Sequence, residues 1–218
     1  MIGIEDEKFI RGNVPMTKQE IRILTIAKAD IGAEDYVVDI GAGTGSLSIE
    51  AAKIAENGCV YAIDKDPEAI DLITQNAEKF SVENIVTING EAPEALEQVK
   101  KIDVALVGGS GGLIDEILTA VDAKLKIGGR IVLNFITVQS LASCLNWLKS
   151  HNNYKYEAIQ VQINRLQNLG FYDMARAINP VHIVTAKKFR HNQAANVISI
   201  SDAKIRNAQP VQIKGIRD

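Results

Sequence analysis

Residues 37–45 read Val37-Val38-Asp39-Ile40-Gly41-Ala42-Gly43-Thr44-Gly45, and the residues that follow carry Leu47, Ala51, Ile54 and Ala55 at helical spacing. An apolar run that ends in alternating glycines and passes directly into a helix is a strand–turn–helix unit. Such a turn brings backbone N–H groups and the positive end of a helix to an anionic or polar ligand. Glycine is needed there because a Cβ would hold the ligand away from the backbone, and because some positions ask for φ > 0. A glycine-rich turn alone is a weak signal; the strand before it and the helix after it give it weight.

The same rhythm continues on both sides. A capping box, Thr17-Lys18-Gln19-Glu20, starts a first helix with Ile21, Leu24 and Ala27 or Lys28 on one face. A second strand, Val60 to Ile63, is closed by Asp64, and Asp66-Pro67 opens a helix that turns Ala69, Ile70, Ile73, Ala77 and Phe80 inward. Strands follow at Ile85 to Ile88, Val104 to Val107 and Arg130 to Phe135, separated by a short helix over Pro93 to Val99 and a longer one with Leu113, Ile117, Ala120 and Val121. After a helix around Val138 to Ser150 the pattern changes to two strands in succession, Tyr156 to Ile163 and Val181 to Thr185. Alternating β and α units predict a parallel sheet, and the last two strands complete it antiparallel. The expected class is α/β, a Rossmann-like, mostly parallel seven-stranded sheet ending in an antiparallel hairpin. Residues 1–188 are expected to form one domain with a short N-terminal arm, and 189–218 a polar tail in which only Val197 to Ile200 is apolar.

Composition narrows the classes. The chain has 218 residues, 46% hydrophobic and 23% charged, the balance of a globular domain with a sizeable core. A net charge of -3 argues against a broad nucleic-acid footprint. The acidic N-terminus lacks the apolar stretch of a signal peptide, and no run approaches the roughly 18 apolar residues of a membrane span. A cytoplasmic protein with no membrane partner is expected. Cys59 and Cys144 lie far apart with no metal-binding spacing and read as buried thiols. His151, His182 and His191 are scattered and read as structural or solvated. No metal site is expected.

The second strand ends nineteen residues after Gly45, where the Asp64 carboxylate can accept hydrogen bonds from both ribose hydroxyls of a nucleotide. Asp39 fits either contact with the ligand's amino group or support of the glycine loop. A dinucleotide fingerprint would place its third glycine one position later. The G-x-G-x-G spacing, with an acid two positions ahead, resembles the class I methyltransferases and favours S-adenosylmethionine over NAD. In that resemblance Gly41, Ala42, Gly43, Thr44 and Gly45 wrap the methionine moiety, Asp64 binds the ribose, and Glu91-Ala92 lies along the adenine. The acceptor side carries no N/D-P-P-Y/F motif after the fourth strand; Gly108-Gly109-Ser110-Gly111-Gly112 stands there instead. No Cys or His falls in the loops at that edge, so no catalytic residue is assigned. The chemistry reads as positioning of an acceptor that is already nucleophilic.

Asp6, Phe9, Arg11, the run Pro15-Met16-Thr17-Lys18-Gln19-Glu20-Ile21-Arg22, the glycine run and Asn179-Pro180-Val181 are together similar to the decarboxylating precorrin methyltransferases of cobalamin biosynthesis. The resemblance covers about residues 3 to 188. It implies methylation of cobalt-precorrin-6B, a tetrapyrrole, at carbon 15, with loss of carbon dioxide from the ring C acetate, and a homotetramer. It also implies that Thr17 contacts the cofactor, beside its reading as a helix cap. Gly109, Ser110 and Gly111 would floor the approach of a flat macrocycle. Arg11, Lys18, Arg165 and Arg176 are candidates for its carboxylates, though each also reads as an ordinary solvated charge. The alternatives are a methyltransferase of tRNA or another nucleic acid, a non-catalytic cofactor-binding protein, and an NAD-dependent oxidoreductase.

Overall fold

The computed structural model describes residues 2–109 and 111–190. Ser110, His191 and the part of the expected polar tail beyond residue 190, with its apolar Val197 to Ile200, lie outside the described residues. After a short 3-10 turn at Asp6–Lys8, helices and strands alternate: α1 (Gln19–Ala29), β1 (Tyr36–Ile40), α2 (Ser46–Ile54), β2 (Cys59–Asp64), α3 (Pro67–Lys79), β3 (Ile85–Asn89), a 3-10 turn at Glu94–Gln98, β4 (Ile102–Val107), α4 (Ile114–Lys124), β5 (Leu125–Phe135) and α5 (Val138–Ser150). Four strands follow: β6 (Tyr154–Val161), β7 (Asn164–Leu169), β8 (Tyr172–Ala177) and β9 (Val181–Lys188).

The main sheet has the order β3-β2-β1-β4-β5-β9-β6. Its first five strands are parallel, while β9 runs antiparallel to both β5 and β6. The central strands read as nearly unbroken apolar runs because helices cover both faces. Val38, Ala105, Ile131 and Leu133 pack with Leu118 of α4 and Trp147 of α5, whereas their neighbours Val37, Val104, Leu106 and Val132 pack with Ile26 of α1 and Leu47 of α2. This is the period-two alternation of a strand, buried on both sides.

Several local expectations need correction. Helix α1 begins at Gln19 rather than Thr17: the residue before it is Lys18, in an extended conformation, and no side chain caps it. Its buried face is Ile21, Arg22, Thr25, Ile26 and Ala29, so Ala27 is exposed. Arg22 and Thr25 are polar, and an apolar stripe drawn from sequence passes them over. In α3, Leu72 and Asn76 are buried, while Ile70, Ala77 and Phe80 are only half-buried. Strand β5 starts five residues earlier than Arg130, with a register shift opposite Ile102 and Val104. Gly128 supplies φ +85 at that irregularity. Cys144 is buried but Cys59 is only half-buried. The largest departure is the segment between β6 and β9, which forms its own two-stranded sheet, β7-β8, outside the main one.

Candidate active site

In this strand order the chain leaves β1 toward β2 on one side and β4 toward β5 on the other. The loops after β1 and β4 therefore diverge and open a crevice at the carboxyl ends of the strands. A cavity of about 290 Å³ occupies it. Thr17, Gly41, Ala42, Gly43, Asp64 and Ala92 line this cavity, joined by Glu91, Gly109 and Gly111. The sequence reading missed Pro15, Ile63, Lys65, Gly90, Gly108 and Ile117. Thr44 and Gly45 stand behind the wall: Thr44 is buried and its carbonyl accepts from Asn76 Nδ2 at 3.0 Å, and Gly45 precedes α2 at φ 76.

Two glycines show why the loop tolerates no side chain. A Cβ on Gly41 (φ +71) would lie 2.7 Å from the Gly109 nitrogen, and one on Gly43 (φ +55) would lie 2.2 Å from the Pro15 carbonyl oxygen. The loop is thus packed between the run after β4 and the N-terminal arm, with its backbone turned to the cavity. Asp64 serves the loop as well: its Oδ2 accepts from Gly43 N at 2.8 Å and its Oδ1 from Asp66 N at 3.0 Å. Each carboxylate oxygen keeps further acceptor capacity, which ribose hydroxyls could use. At the rim, Lys65 Nζ and Glu91 Oε1 pair at 2.9 Å. A glycine cradle, free carboxylate acceptors and an apolar slot beside Ala92 fit a nucleoside-bearing cofactor.

Asp39 does not line the cavity. It is fully buried, and its Oδ2 accepts from Ser48 Oγ at 2.6 Å, which ties the end of β1 to α2. Of the two roles open to it, loop support is the one its contacts display. Burial pushes its carboxyl up to about 6, against the Ser48 hydrogen bond that lowers it, and neighbouring Asp64 adds to the rise.

A second cavity of about 200 Å³ adjoins the first and shares Gly108, Gly109 and Gly111 with it. Its other walls are Val107, Gly112, Asn134, Phe135, Ile136, Thr137 and Ser140. The last five follow from the position of β5, whose carboxyl end reaches the same edge; no chemical signal in the sequence marks them. The cationic candidates sit elsewhere. Arg11 is exposed, with Nε donating to the Asp6 carbonyl at 3.2 Å, and half-buried Lys18 precedes α1. Arg165 and Arg176 face each other across β7-β8, where Arg165 makes a forked pair with Glu20 at 2.7 and 3.0 Å. That pair holds the Glu20 carboxyl below the usual range. His151 stacks on Trp147 with ring centroids 3.7 Å apart, away from both cavities. Among the described residues no group of three or more His, Cys, Asp or Glu side chains is placed to hold a metal ion.

A parallel Rossmann-like sheet closed by an antiparallel pair, with a glycine loop and a strand-end carboxylate at its switch point, defines the chain as a methyltransferase by fold and site. More narrowly, it belongs to the precorrin methyltransferase family: the profile described as a precorrin methyltransferase domain matches residues 8–188. It is 41% identical, over 191 residues covering 85% of this chain and 97% of the relative, to a probable cobalt-precorrin-6B C(15)-methyltransferase (decarboxylating) of Sulfolobus acidocaldarius. Identity is 36% over 186 residues, 85% of this chain and 96% of the relative, to the cobalt-precorrin-6B C(15)-methyltransferase (decarboxylating) of Salmonella typhimurium. Among solved structures, the precorrin-6y C5,15-methyltransferase of Geobacter metallireducens superposes with a TM-score of 0.80 at 37% identity, covering 86% of this chain and 98% of that one.

Proposed function

We propose that this chain uses S-adenosylmethionine to methylate cobalt-precorrin-6B at carbon 15, with loss of carbon dioxide from the ring C acetate side chain. The observation that carries the reading is the pair of cavities meeting at one glycine run, in a chain whose relatives bear that activity in their names. S-adenosylmethionine supplies an electrophilic methyl group on its sulfonium. Thr17, Gly41, Ala42 and Gly43 hold its methionine end, with Thr44 and Gly45 supporting the loop from behind, Asp64 holds its ribose, and Glu91 and Ala92 its adenine.

Gly109 and Gly111, which line both cavities, form the floor over which the macrocycle approaches. Glycine suits this place because a flat, rigid acceptor must come within bonding reach of the methyl donor. Neither cavity offers a histidine or cysteine among its lining residues, so the protein's part is to bind, orient and exclude water. We assign the ring's carboxylates to the basic side chains Arg11, Lys18 and Arg176, which line neither cavity and would meet the macrocycle where it extends beyond them. In the decarboxylating step no protein base is required, because the methylated, conjugated ring accepts the electron pair released with carbon dioxide.

The reading extends to a homotetramer in the cytoplasm. Its support is the β7-β8 sheet, where Leu169, Tyr172 and Met174 share one exposed face and Phe171 is exposed at the turn between the strands. A monomer rarely leaves so many large apolar groups together in water. No helix among the described residues is long and apolar enough to cross a membrane.

Calorimetric titration with S-adenosylhomocysteine and, separately, NAD tests the cofactor assignment. Saturable binding of the first and none of the second is expected. The reverse would return the chain to the oxidoreductase alternative.

A further inference from the structure

We infer that Arg22 is a positioning residue for the cofactor pocket, fixing the N-terminal arm as the pocket's outer wall through the carbonyl of Thr17. The inference rests on the cofactor reading above and adds to it a residue that touches neither ligand. Arg22 projects from α1 yet is fully buried, and its guanidinium serves partners outside that helix. Nε donates to Glu50 Oε1 at 2.7 Å, Nη1 to Asp6 Oδ1 at 3.2 Å and to the Thr17 carbonyl at 2.6 Å, and Nη2 to the Ile4 carbonyl. The Phe9 ring covers it, 4.8 Å from the guanidinium carbon. Glu50, from α2, completes the knot by accepting from the backbone N–H groups of Gly3 and Ile4, each at 3.0 Å.

The arm has little else to hold it. Its buried apolar anchors, Ile4 and Phe9, form a small cluster with Ile49, joined to one of the two sheet-face clusters only through half-buried Val82 and Ile85. Order in residues 3–18 is therefore set mainly by polar contacts: the Arg22 knot at one end, Asn76 bonding the Ile10 backbone on both sides, and Glu68 accepting from Asn13 N at 2.8 Å. Pro15 and Thr17, which wall the cavity, lie between the Glu68 contact and Arg22 itself. A buried ion cluster adds little net stability over an apolar core of the same volume, while it is demanding in geometry. Here that geometry ends on Thr17, at the edge of the cofactor cavity. Arg22 sets where Thr17 stands, and so sets the shape of the site before any ligand arrives.

The test compares Arg22→Lys, Glu68→Ala and the wild-type chain. Lysine keeps the charge but cannot reach Glu50, Asp6 and the two carbonyls at once, because it lacks the guanidinium fork. Glu68 is only half-buried and accepts from the arm alone, so its replacement loosens the arm without breaking the buried Arg22 cluster. Each protein is measured by thermal melting, by hydrogen exchange of the arm amides, by titration with S-adenosylhomocysteine, and by steady-state kinetics with both substrates. Both variants should melt cooperatively and exchange faster in residues 3–18. The S-adenosylhomocysteine Kd and the KM for S-adenosylmethionine should rise roughly tenfold in Arg22→Lys and about threefold in Glu68→Ala, the scale expected for losing one or two charge-assisted hydrogen bonds. At saturating precorrin and cofactor, kcat should stay within about twofold, whereas general destabilisation would lower it with the folded fraction. Faster exchange in the arm with an unchanged Kd would overturn the inference, and Glu68→Ala decides it should Arg22→Lys fail to fold. If the wild-type chain itself bound no S-adenosylhomocysteine, the cofactor reading would fall first and this inference with it.

Discussion

Asp39 holds its carboxyl group entirely inside the protein, with one oxygen on Ser48 and the other without a partner among the described residues. Its folded pKa, raised to about 6, lies above its ordinary value of 3.8, so the folded state binds this proton more tightly than the unfolded chain. The stability this confers is present below the ordinary value and is lost as pH rises through about 6. Asp39→Asn keeps an acceptor for Ser48 and removes the charge. It should therefore melt higher than wild type at pH 8 and lack the part of the decline between pH 4 and 6 that the wild type shows; identical pH slopes in the two proteins would contradict the assignment. For Arg11 and Arg176, alanine should raise the KM for the precorrin severalfold, on the order of 1 kcal/mol per exposed ion pair, and leave the KM for S-adenosylmethionine alone. If turnover were untouched in both, these residues would not be the carboxylate partners. Gly41, Gly43 and Asp64 were legible in the sequence because local geometry dictates them: a tight turn demands glycine, and a strand end fixes where its last side chain sits. Arg22, Glu50 and Asn76 were not, because a buried polar side chain declares itself through tertiary partners, as far as 66 residues away for Asn76, and no local pattern marks it.

Among the elements, β7 and β8 set the sharpest problem. Every residue of both strands is exposed, so the pair has no face on the core and no apolar alternation to reveal it. The strands that do face the core, β1, β2 and β4, were readable as apolar runs for the opposite reason. The start of α1 was misread by two residues because Thr17-Lys18-Gln19-Glu20 satisfies the sequence form of a capping box, whereas the structure uses Thr17 to line the cavity and its carbonyl to bind Arg22. A sheet of two strands is only marginally stable in water by itself. The β7-β8 hairpin is tied to the body by the forked Arg165–Glu20 pair, and in the proposed homotetramer its exposed apolar side chains would be covered by another copy of the chain. Replacing both Leu166 and Phe171 with serine should lower the mass found by sedimentation at micromolar concentration, while far-ultraviolet circular dichroism stays that of the wild type. An unchanged tetrameric mass in the variant would remove the hairpin from the interface, and a monomeric wild type would remove the tetramer.

At the scale of the whole molecule, the fold divides the work between two sides of one crevice. The loops after β1 and β2 and the N-terminal arm enclose one cavity, the loops after β4 and β5 enclose the other, and the glycine run after β4 belongs to both. That division follows from strand order alone, since only the switch between β1 and β4 parts the loops at the carboxyl edge. It matches a reaction that brings a small donor and a broad acceptor together with little demand for an acid or base. Such a site is tested by what it does to its substrate. The purified chain should be incubated with cobalt-precorrin-6B and S-adenosylmethionine and the product weighed by mass spectrometry, with a methyl-labelled donor to mark the transferred group. The result expected is a product carrying one labelled methyl group and lacking one carbon dioxide. An unchanged precorrin, in a preparation that binds S-adenosylhomocysteine, would contradict the assignment of this acceptor while leaving the methyltransferase fold in place.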